Sequence, residues 1–264
     1  GLGDVYKRQN KYSIWLDIEL AAAEAMEKLK INIVSDVVCP WCVIGFKNLQ
    51  KAMAELEDQI DFEVHWKPYE LHPEIPESGY DKKLYMQQKF GDLSGRPSPY
   101  KQIEEIGKSL NFDFNFSKTE RIPNTFNAHR LLWKAKDFGL QTDLSTALFK
   151  AYFTDGRDVG STEVLIEIAV EVGMDQDDIK NFLASKEGGQ ETADDEMEFI
   201  EKSIGAVPTY FINDKYIIQG GQEPETFVSF LGKILLKEKQ NEACLLYTSP
   251  SPRDLSTSRM PSSA

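Results

Sequence analysis

The hydrophobic pattern of the chain alternates between strand-like and helical segments. Residues 30–38, KINIVSDVV, form a short apolar run rich in β-branched side chains, which predicts a buried strand. Residues 61–67, DFEVHWK, alternate apolar and polar side chains and predict a second strand with one buried face. Between them a helix is predicted to begin near Pro40, because the apolar residues that follow recur every three or four positions and form one stripe: Cys42, Phe46, Leu49, Met53 and Leu56.

The middle of the chain is helical in pattern and its end returns to strands. Helices are predicted near residues 80–90, 99–110, 124–138, 142–153, 161–173, 175–184 and 190–203. The segments TYFI and KYII then flank Asn213 and Asp214, a two-residue spacing that predicts a hairpin. A last helix is predicted to begin near Pro224.

This order of elements predicts an α/β fold, in which a mixed sheet flanked by helices carries a large all-helical insertion. Residues 30–77 and 204–243 would form the sheet-containing domain, and residues 78–203 the inserted helical domain. The second domain therefore interrupts the first.

The two ends of the chain do not follow these patterns. Residues 1–9 and 244–264 resemble translated adapter sequence, so we expect the tail from residue 244 to be disordered and exclude both ends from the fold. Residues 10–29 have helical periodicity and resemble the opening helix of adenylosuccinate lyases, which indicates a chimeric junction and makes Met26 a candidate native start. Cys244 falls in the suspect tail, which leaves two cysteines in the body of the chain.

Composition narrows the classes of function. The 264 residues carry a formal net charge of −13, so nucleic acid and anionic membrane surfaces would be repelled on average. No window approaches the roughly 20 apolar residues of a membrane-spanning helix. Three cysteines do not make a secreted disulfide framework, and acidic residues interrupt residues 10–29 before they reach signal-peptide length. These features favour a cytoplasmic location.

The segment DVVCPWCVIG, residues 36–45, carries the most specific chemistry in the chain. Cys39 lies just before a predicted helix, where free N–H groups and the helix dipole stabilise a thiolate, and we expect it to be exposed. Cys42 falls on the buried stripe of that helix. An accessible thiol beside a shielded one is the asymmetry that disulfide exchange requires.

Other interpretations of these residues compete with disulfide exchange. Structural zinc would need further ligands, and His65, His72 and His129 show no zinc-like spacing. Both cysteines could be inert core residues, although this would leave the position of Cys39 at a helix start unexplained. We assign the three histidines no chemistry. Asp36 is expected to be a capping or solvated carboxylate, and the acidic run ETADDEME a solvated helix face.

The cysteine motif and three further segments resemble one known family. SDVVCPWCVIG, VHWKPYELHPE, AYFTDGRDVG and YIIQGGQ, together with GAVPTYFI, are similar to the thioredoxin superfamily and in detail to DsbA-like thiol-disulfide oxidoreductases of the FrnE type. The resemblance covers about residues 30–238. It implies a thioredoxin fold with a helical insertion, Cys39 as nucleophile, Cys42 as resolving thiol and a cis peptide bond at Val207-Pro208 beside them.

The resemblance also implies how a substrate is held. Pro40 and Trp41 would contact it, and the backbone of Val207 beside Pro208 would pair with an extended polypeptide. The expected partners are thiol- or disulfide-containing polypeptides, with glutathione as a co-substrate, and no metal or other cofactor. Two alternatives stay open: a glutathione-dependent isomerase or transferase of the kappa or 2-hydroxychromene-2-carboxylate isomerase type, which usually has Ser at the position of Cys39, and a binding module without turnover.

Overall fold

The computed structural model describes residues 26–91, 100–202 and 204–248. It contains a four-stranded mixed sheet made of β1 (Glu27–Ser35), β2 (Ile60–Pro68), β5 (Thr209–Ile212) and β6 (Tyr216–Gln219). The strands lie in the order β2-β1-β5-β6, in which β1 and β2 are parallel and the other neighbours are antiparallel. The predicted α/β fold, a mixed sheet flanked by helices with a helical insertion, is confirmed.

Strand β1 is shifted towards the N-terminus of the chain relative to the prediction. It begins at Glu27, so the predicted helix over residues 10–29 is wrong for its last three residues; residues 1–25 lie outside the described part of the chain. Leu29 is fully buried and pairs with Phe62 of β2, and such pairing and burial override a local helical period. The strand ends at Ser35, which leaves residues 36–39 as a turn before the next helix.

Helix α1 (Pro40–Glu55) follows the predicted pattern. Proline stands in its first turn. Met53 of the predicted stripe is partly buried, and the other four members are buried: Cys42, Phe46, Leu49 and Leu56. The helix packs against α9 (Pro224–Thr248), which begins at the predicted Pro224. Helix α9 continues past the predicted boundary at residue 243, and the remainder of the expected tail, residues 249–264, lies outside the described residues.

The predicted helices of the insertion are present between β2 and β5. They are α2 (Lys82–Phe90), α3 (Lys101–Ser109), α4 (Phe126–Ala135) with a 3-10 turn (Lys136–Phe138), α5 (Gln141–Lys150) with a π-helical turn (Ala151–Asp155), α6 (Thr162–Glu171), α7 (Gln176–Ala184) and α8 (Gly189–Glu201). The insertion is not purely helical, because β3 (Tyr80–Asp81) pairs with β4 (Arg121–Ile122). Two-residue strands are too short to show a hydrophobic period.

One hydrophobic core runs through the sheet and the insertion. Trp66 of β2 makes edge contacts with Phe46 of α1 at 4.7 Å and with Phe149 of α5 at 5.8 Å between ring centroids. Its indole N–H donates to Thr142, and its backbone N–H donates to the side chain of Gln141. The insertion is therefore anchored to the strand that lies beside β1.

The predicted hairpin is confirmed, with a longer connection than expected. Strand β6 begins at Tyr216, so three residues link it to β5. Asn213 and Asp214 have φ values of 51° and 55°, a left-handed conformation that Asn and Asp tolerate. Asp214 accepts hydrogen bonds from Lys30 at 2.9 Å and Asn32 at 2.7 Å, which ties the turn to β1.

Candidate functional site

The two cysteines lie at the junction between β1 and α1. Cys39 is the N-cap residue of α1, and its backbone N–H donates to the carbonyl of Asp36 at 3.1 Å. The N–H of Cys42 donates to the carbonyl of Cys39 at 3.1 Å, which places the second cysteine in the first turn of the helix. Both are free thiols.

Cys39 is less accessible than the sequence predicts. Its side chain is buried, with 4% of its surface exposed, because the segment before β5 covers it. The sulfur lies 3.8 Å from the carbonyl oxygen of Val207 and donates to it. The expectation that Cys39 is exposed is therefore wrong for this structure, and a substrate has to displace or join the Val207 contact to reach the sulfur.

Cys42 is shielded, as its position on the helix stripe predicts. Burial raises the pKa of its thiol well above the ordinary value, and a hydrogen bond to Cys39 and the charge on Cys39 raise it further. The side chain of Ser35 and the backbone of Asp36 oppose this shift without cancelling it. Cys42 therefore holds its proton at neutral pH.

The Val207-Pro208 peptide bond is cis and lies directly against α1. The carbonyl of Pro208 accepts a hydrogen bond from Gly220 at 2.8 Å. At Gly45, a Cβ atom would lie 2.3 Å from the hydroxyl of Tyr210 and 3.0 Å from Cγ of Pro208. Only glycine at this position lets the helix approach the proline so closely.

Pro40 and Trp41 form the surface beside the cysteines. Trp41 is 43% exposed, and Pro40 is half-buried. A Cβ on Gly221 would lie 3.2 Å from the carbonyl of Trp41, so this loop also approaches the turn closely. The structure thus brings together all six predicted site residues: Cys39, Pro40, Trp41, Cys42, Val207 and Pro208.

The sequence predicts that Asp36 is a capping or solvated carboxylate, and this prediction is wrong. It is 1% exposed and accepts hydrogen bonds from the backbone N–H groups of Leu71 at 2.8 Å and Val38 at 3.4 Å. A buried carboxylate of this kind fixes the turn that precedes Cys39 and connects it to the segment after β2.

Charged residues surround Asp36: His129 is buried like Asp36, whereas Glu70 and Glu196 are half-buried. Nε2 of His129 lies 3.5 Å from Oδ1 of Asp36, and Glu196 accepts the backbone N–H of Glu70 at 2.6 Å. Burial lowers the pKa of His129, but its hydrogen-bonding contact with Asp36 and the charges of Asp36, Glu70 and Glu196 outweigh burial and leave the pKa above its ordinary value. Burial raises the pKa of Glu70 to about 7, opposed by His129 and assisted by the two other carboxylates.

These neighbours could not be found from sequence periodicity. His129 and Glu196 come from α4 and α8, far along the chain. The acidic run ETADDEME is only partly solvated, because Asp195 forms an ion pair with Lys67 and Glu196 accepts a hydrogen bond from the backbone N–H of Glu70. His65 and His72 instead pair with Glu63 and Glu74 near the surface. In the part of the chain that the structure describes, no three His, Cys, Asp or Glu residues are placed to hold a metal ion.

The chain is similar to known proteins over most of its length. The family model of the DSBA-like thioredoxin domain matches residues 30–232. YwbO of Bacillus subtilis (strain 168), an uncharacterized protein, is 28% identical over 203 residues, which cover 75% of this chain and 92% of YwbO.

Two solved structures have folds similar to that of this chain. The probable DsbA oxidoreductase SCO1869 from Streptomyces coelicolor has a TM-score of 0.72 at 26% identity, covering 78% of this chain and 89% of that one. The cytosolic disulfide reductase DsbM from Pseudomonas aeruginosa, solved with GSH, has a TM-score of 0.57 at 16% identity, covering 78% of this chain and 98% of its own. DsbM shows the shared fold. Over the described residues, no helix has the length and apolar character needed to cross a membrane.

Proposed function

We propose that this chain, which belongs to the family of DSBA-like thioredoxin domains, is a thiol-disulfide oxidoreductase that works through Cys39 and Cys42. The observation that carries the proposal is the arrangement of the two thiols. Cys39 caps α1 beneath the carbonyl of Val207, and Cys42 lies one helical turn behind it in the core.

The different surroundings of the thiols assign them different roles. Because burial keeps Cys42 protonated, we assign the role of first nucleophile to Cys39, which stands at the start of α1. Its thiolate attacks one sulfur of a substrate disulfide, the substrate S–S bond breaks, and the released thiolate takes up a proton. A mixed disulfide between Cys39 and the other half of the substrate remains.

Cys42 completes the exchange. It attacks the sulfur of Cys39, the bond between Cys39 and the substrate sulfur breaks, and the proton of Cys42 passes to that departing sulfur, so the Cys39-Cys42 disulfide forms and the second half of the substrate leaves as a thiol. Two electrons have passed from the protein dithiol to the substrate. An external thiol, with glutathione as the low-molecular-weight candidate, would reduce the pair again, and the opposite direction oxidises a substrate dithiol.

Polypeptides are the proposed main substrates. The backbone of Val207 lies against Cys39 and its residue is only partly buried, so an extended chain can pair with it as an added strand. The exposed ring of Trp41 and the half-buried ring of Pro40 provide apolar contacts next to the reacting sulfur. A cytoplasmic location, expected from the sequence, belongs to the same proposal and is tested by cell fractionation.

Two substitutions test the roles of the thiols. In a Cys244→Ser background, which leaves only the two site thiols, Cys39→Ser should abolish turnover of a protein disulfide. Cys42→Ser should accumulate mixed disulfides that survive alkylation and appear as mass adducts on Cys39. The Cys244→Ser protein alone is the matched control and should keep full activity. Full activity in Cys39→Ser would contradict the mechanism.

A further inference from the structure

A cavity of about 410 Å³ opens between the cysteine turn and the helical insertion. Val38 and Pro40, the two neighbours of Cys39 in the chain, form part of its wall together with Leu71 and His72 of the segment after β2, and the insertion supplies the remainder. Its volume falls within the roughly 300–1,000 Å³ that is typical of ligand pockets. The cavity therefore adjoins the backbone on both sides of Cys39.

The wall of this cavity is mainly aromatic and apolar. Tyr100 and Phe116 stack with ring centroids 4.2 Å apart, and Phe153 stands edge-on to Phe116 at 5.8 Å. Such a surface gains most from burying a large apolar side chain, above all an aromatic one. The cavity is therefore selective for shape and apolar character on most of its surface.

One cation interrupts the apolar wall. The ammonium of Lys82 donates to the carbonyl of Phe116 at 3.1 Å and lies 5.3 Å from the ring centre of Tyr100, and burial lowers its pKa. An ammonium has three N–H donors, and among the described residues no carboxylate forms an ion pair with Lys82. A half-buried cation with unused donors gains from an anionic acceptor.

The charges around the cavity strengthen this preference. The chain carries 43 acidic residues, yet none of the described residues that line the cavity is Asp or Glu. Among the described lining residues, Lys82 supplies the cation that has no carboxylate partner, whereas His72 pairs with Glu74 at 3.3 Å. A carboxylate on the ligand would thus meet attraction in this cavity, in contrast to the acidic surface elsewhere.

We propose that this cavity, which we call the flanking-residue pocket, binds two residues beside the cysteine of a polypeptide substrate: a large apolar or aromatic side chain and an adjacent acidic one. The proposal rests on the proposed function. The carboxylate pairs with Lys82, and the apolar group fills the aromatic wall. A polypeptide fits better than a small molecule because the apolar wall continues onto the surface at Leu71, a lining residue that is 38% exposed.

The test compares short peptides in which a single cysteine is activated as its 2-thiopyridyl disulfide. The peptides carry Phe-Asp, Phe-Asn, Phe-Lys or Gly-Gly after the cysteine, and release of thiopyridone gives the rate of attack by Cys39 in the reduced Cys244→Ser protein. We expect Phe-Asp to react about tenfold faster than Phe-Asn, the factor that one hydrogen bond to a charged group supplies.

Substitutions of Lys82 connect that preference to the pocket. Lys82→Met should reduce the ratio of Phe-Asp to Phe-Asn rates to about one, and Lys82→Arg should restore most of it. Lys83→Met is the matched control, because Lys83 is the next residue of α2, is exposed and does not line the cavity, so it should keep the full ratio. An unchanged ratio in Lys82→Met, or no preference in the unsubstituted protein, would overturn the proposal.

A binding measurement separates the pocket from the redox chemistry. Peptides with Ser in place of Cys cannot react, and calorimetry should show that the Phe-Asp form binds more tightly than Phe-Asn and that Lys82→Met removes the difference. If the protein binds peptides with this preference but reacts with none of the activated peptides, the proposed function is contradicted and the assignment of the flanking-residue pocket is supported. If reduced glutathione competes for the site and Lys82→Met abolishes that competition, the pocket belongs to glutathione and the peptide assignment is wrong.

Discussion

Replacement of Gly45 by alanine tests whether close contact between α1 and Pro208 builds the site. The added Cβ would lie 2.3 Å from the hydroxyl of Tyr210, 3.0 Å from Cγ of Pro208 and 3.1 Å from Cα of Gly221. Tyr210 is fully buried and Gly221 offers backbone, so neither can move aside without shifting the sheet or the loop. The helix must therefore move away from Pro208.

The magnitude follows from two opposing terms. Overpacking of a core contact costs about 1–3 kcal/mol, and the rigidity of these neighbours places this site at the upper end. Alanine in a helix gains about 1 kcal/mol over glycine, which offsets part of that cost. We expect Gly45→Ala to lower the free energy of unfolding by about 2 kcal/mol.

Urea denaturation of the full chain measures this change, and Gly232→Ala is the matched control. Gly232 lies in α9, and a Cβ there would meet nothing within 4 Å, so the same substitution should stabilise by up to about 1 kcal/mol. The rate of disulfide exchange should fall in Gly45→Ala and stay unchanged in Gly232→Ala. If Gly45→Ala leaves both the free energy of unfolding and the rate of disulfide exchange unchanged, the close approach of α1 to Pro208 does not build the site.

Three further changes are expected to alter stability. Folding raises the pKa of Glu70 to about 7, so between about pH 4 and pH 7 the folded protein keeps a proton that the unfolded chain releases, and stability falls as the pH rises through this range. Glu70→Gln should remove this loss and raise the free energy of unfolding by about 1–2 kcal/mol at pH 8, after allowance for partial exposure, as measured by urea denaturation. Arg130→Met, which removes the donors to the carbonyls of Phe182, Ser185 and Glu187, should cost about 2–4 kcal/mol, against less than about 1 for Lys134→Met; equal losses would contradict this role. Asp214→Ala should be less stable than Asp214→Gly by about 1 kcal/mol, because its φ is 55°; the reverse order would contradict it.

The parts of the fold that repeat along the chain were predictable from the sequence. The stripe of α1 and the alternation in β2 have periods set by the local backbone, so their buried faces follow directly. The start of β1 was not predictable, because its pairing with β2 overrides a helical pattern in residues 27–29. The β3–β4 pair was missed for the opposite reason, since two residues carry no period.

The candidate site divides in the same way. The two cysteines could be found because they share a motif at the start of a patterned helix, whereas the burial of Cys39 depends on Val207, which the fold brings from far along the chain. The contact between Asp36 and His129 joins the turn after β1 to the insertion and follows from no spacing. Gly45 carried no signal, because the need for glycine arises from Tyr210, Pro208 and Gly221, which are far along the chain.

Equilibration in graded glutathione buffers shows directly whether Cys39 and Cys42 form one redox couple. The full chain is used as Cys244→Ser, and free thiols are counted by alkylation and mass at each point. We expect the two thiols to disappear together in one two-electron transition with no stable glutathione adduct. Loss of a single thiol with a glutathione adduct on Cys39, or no change in either thiol, would contradict it.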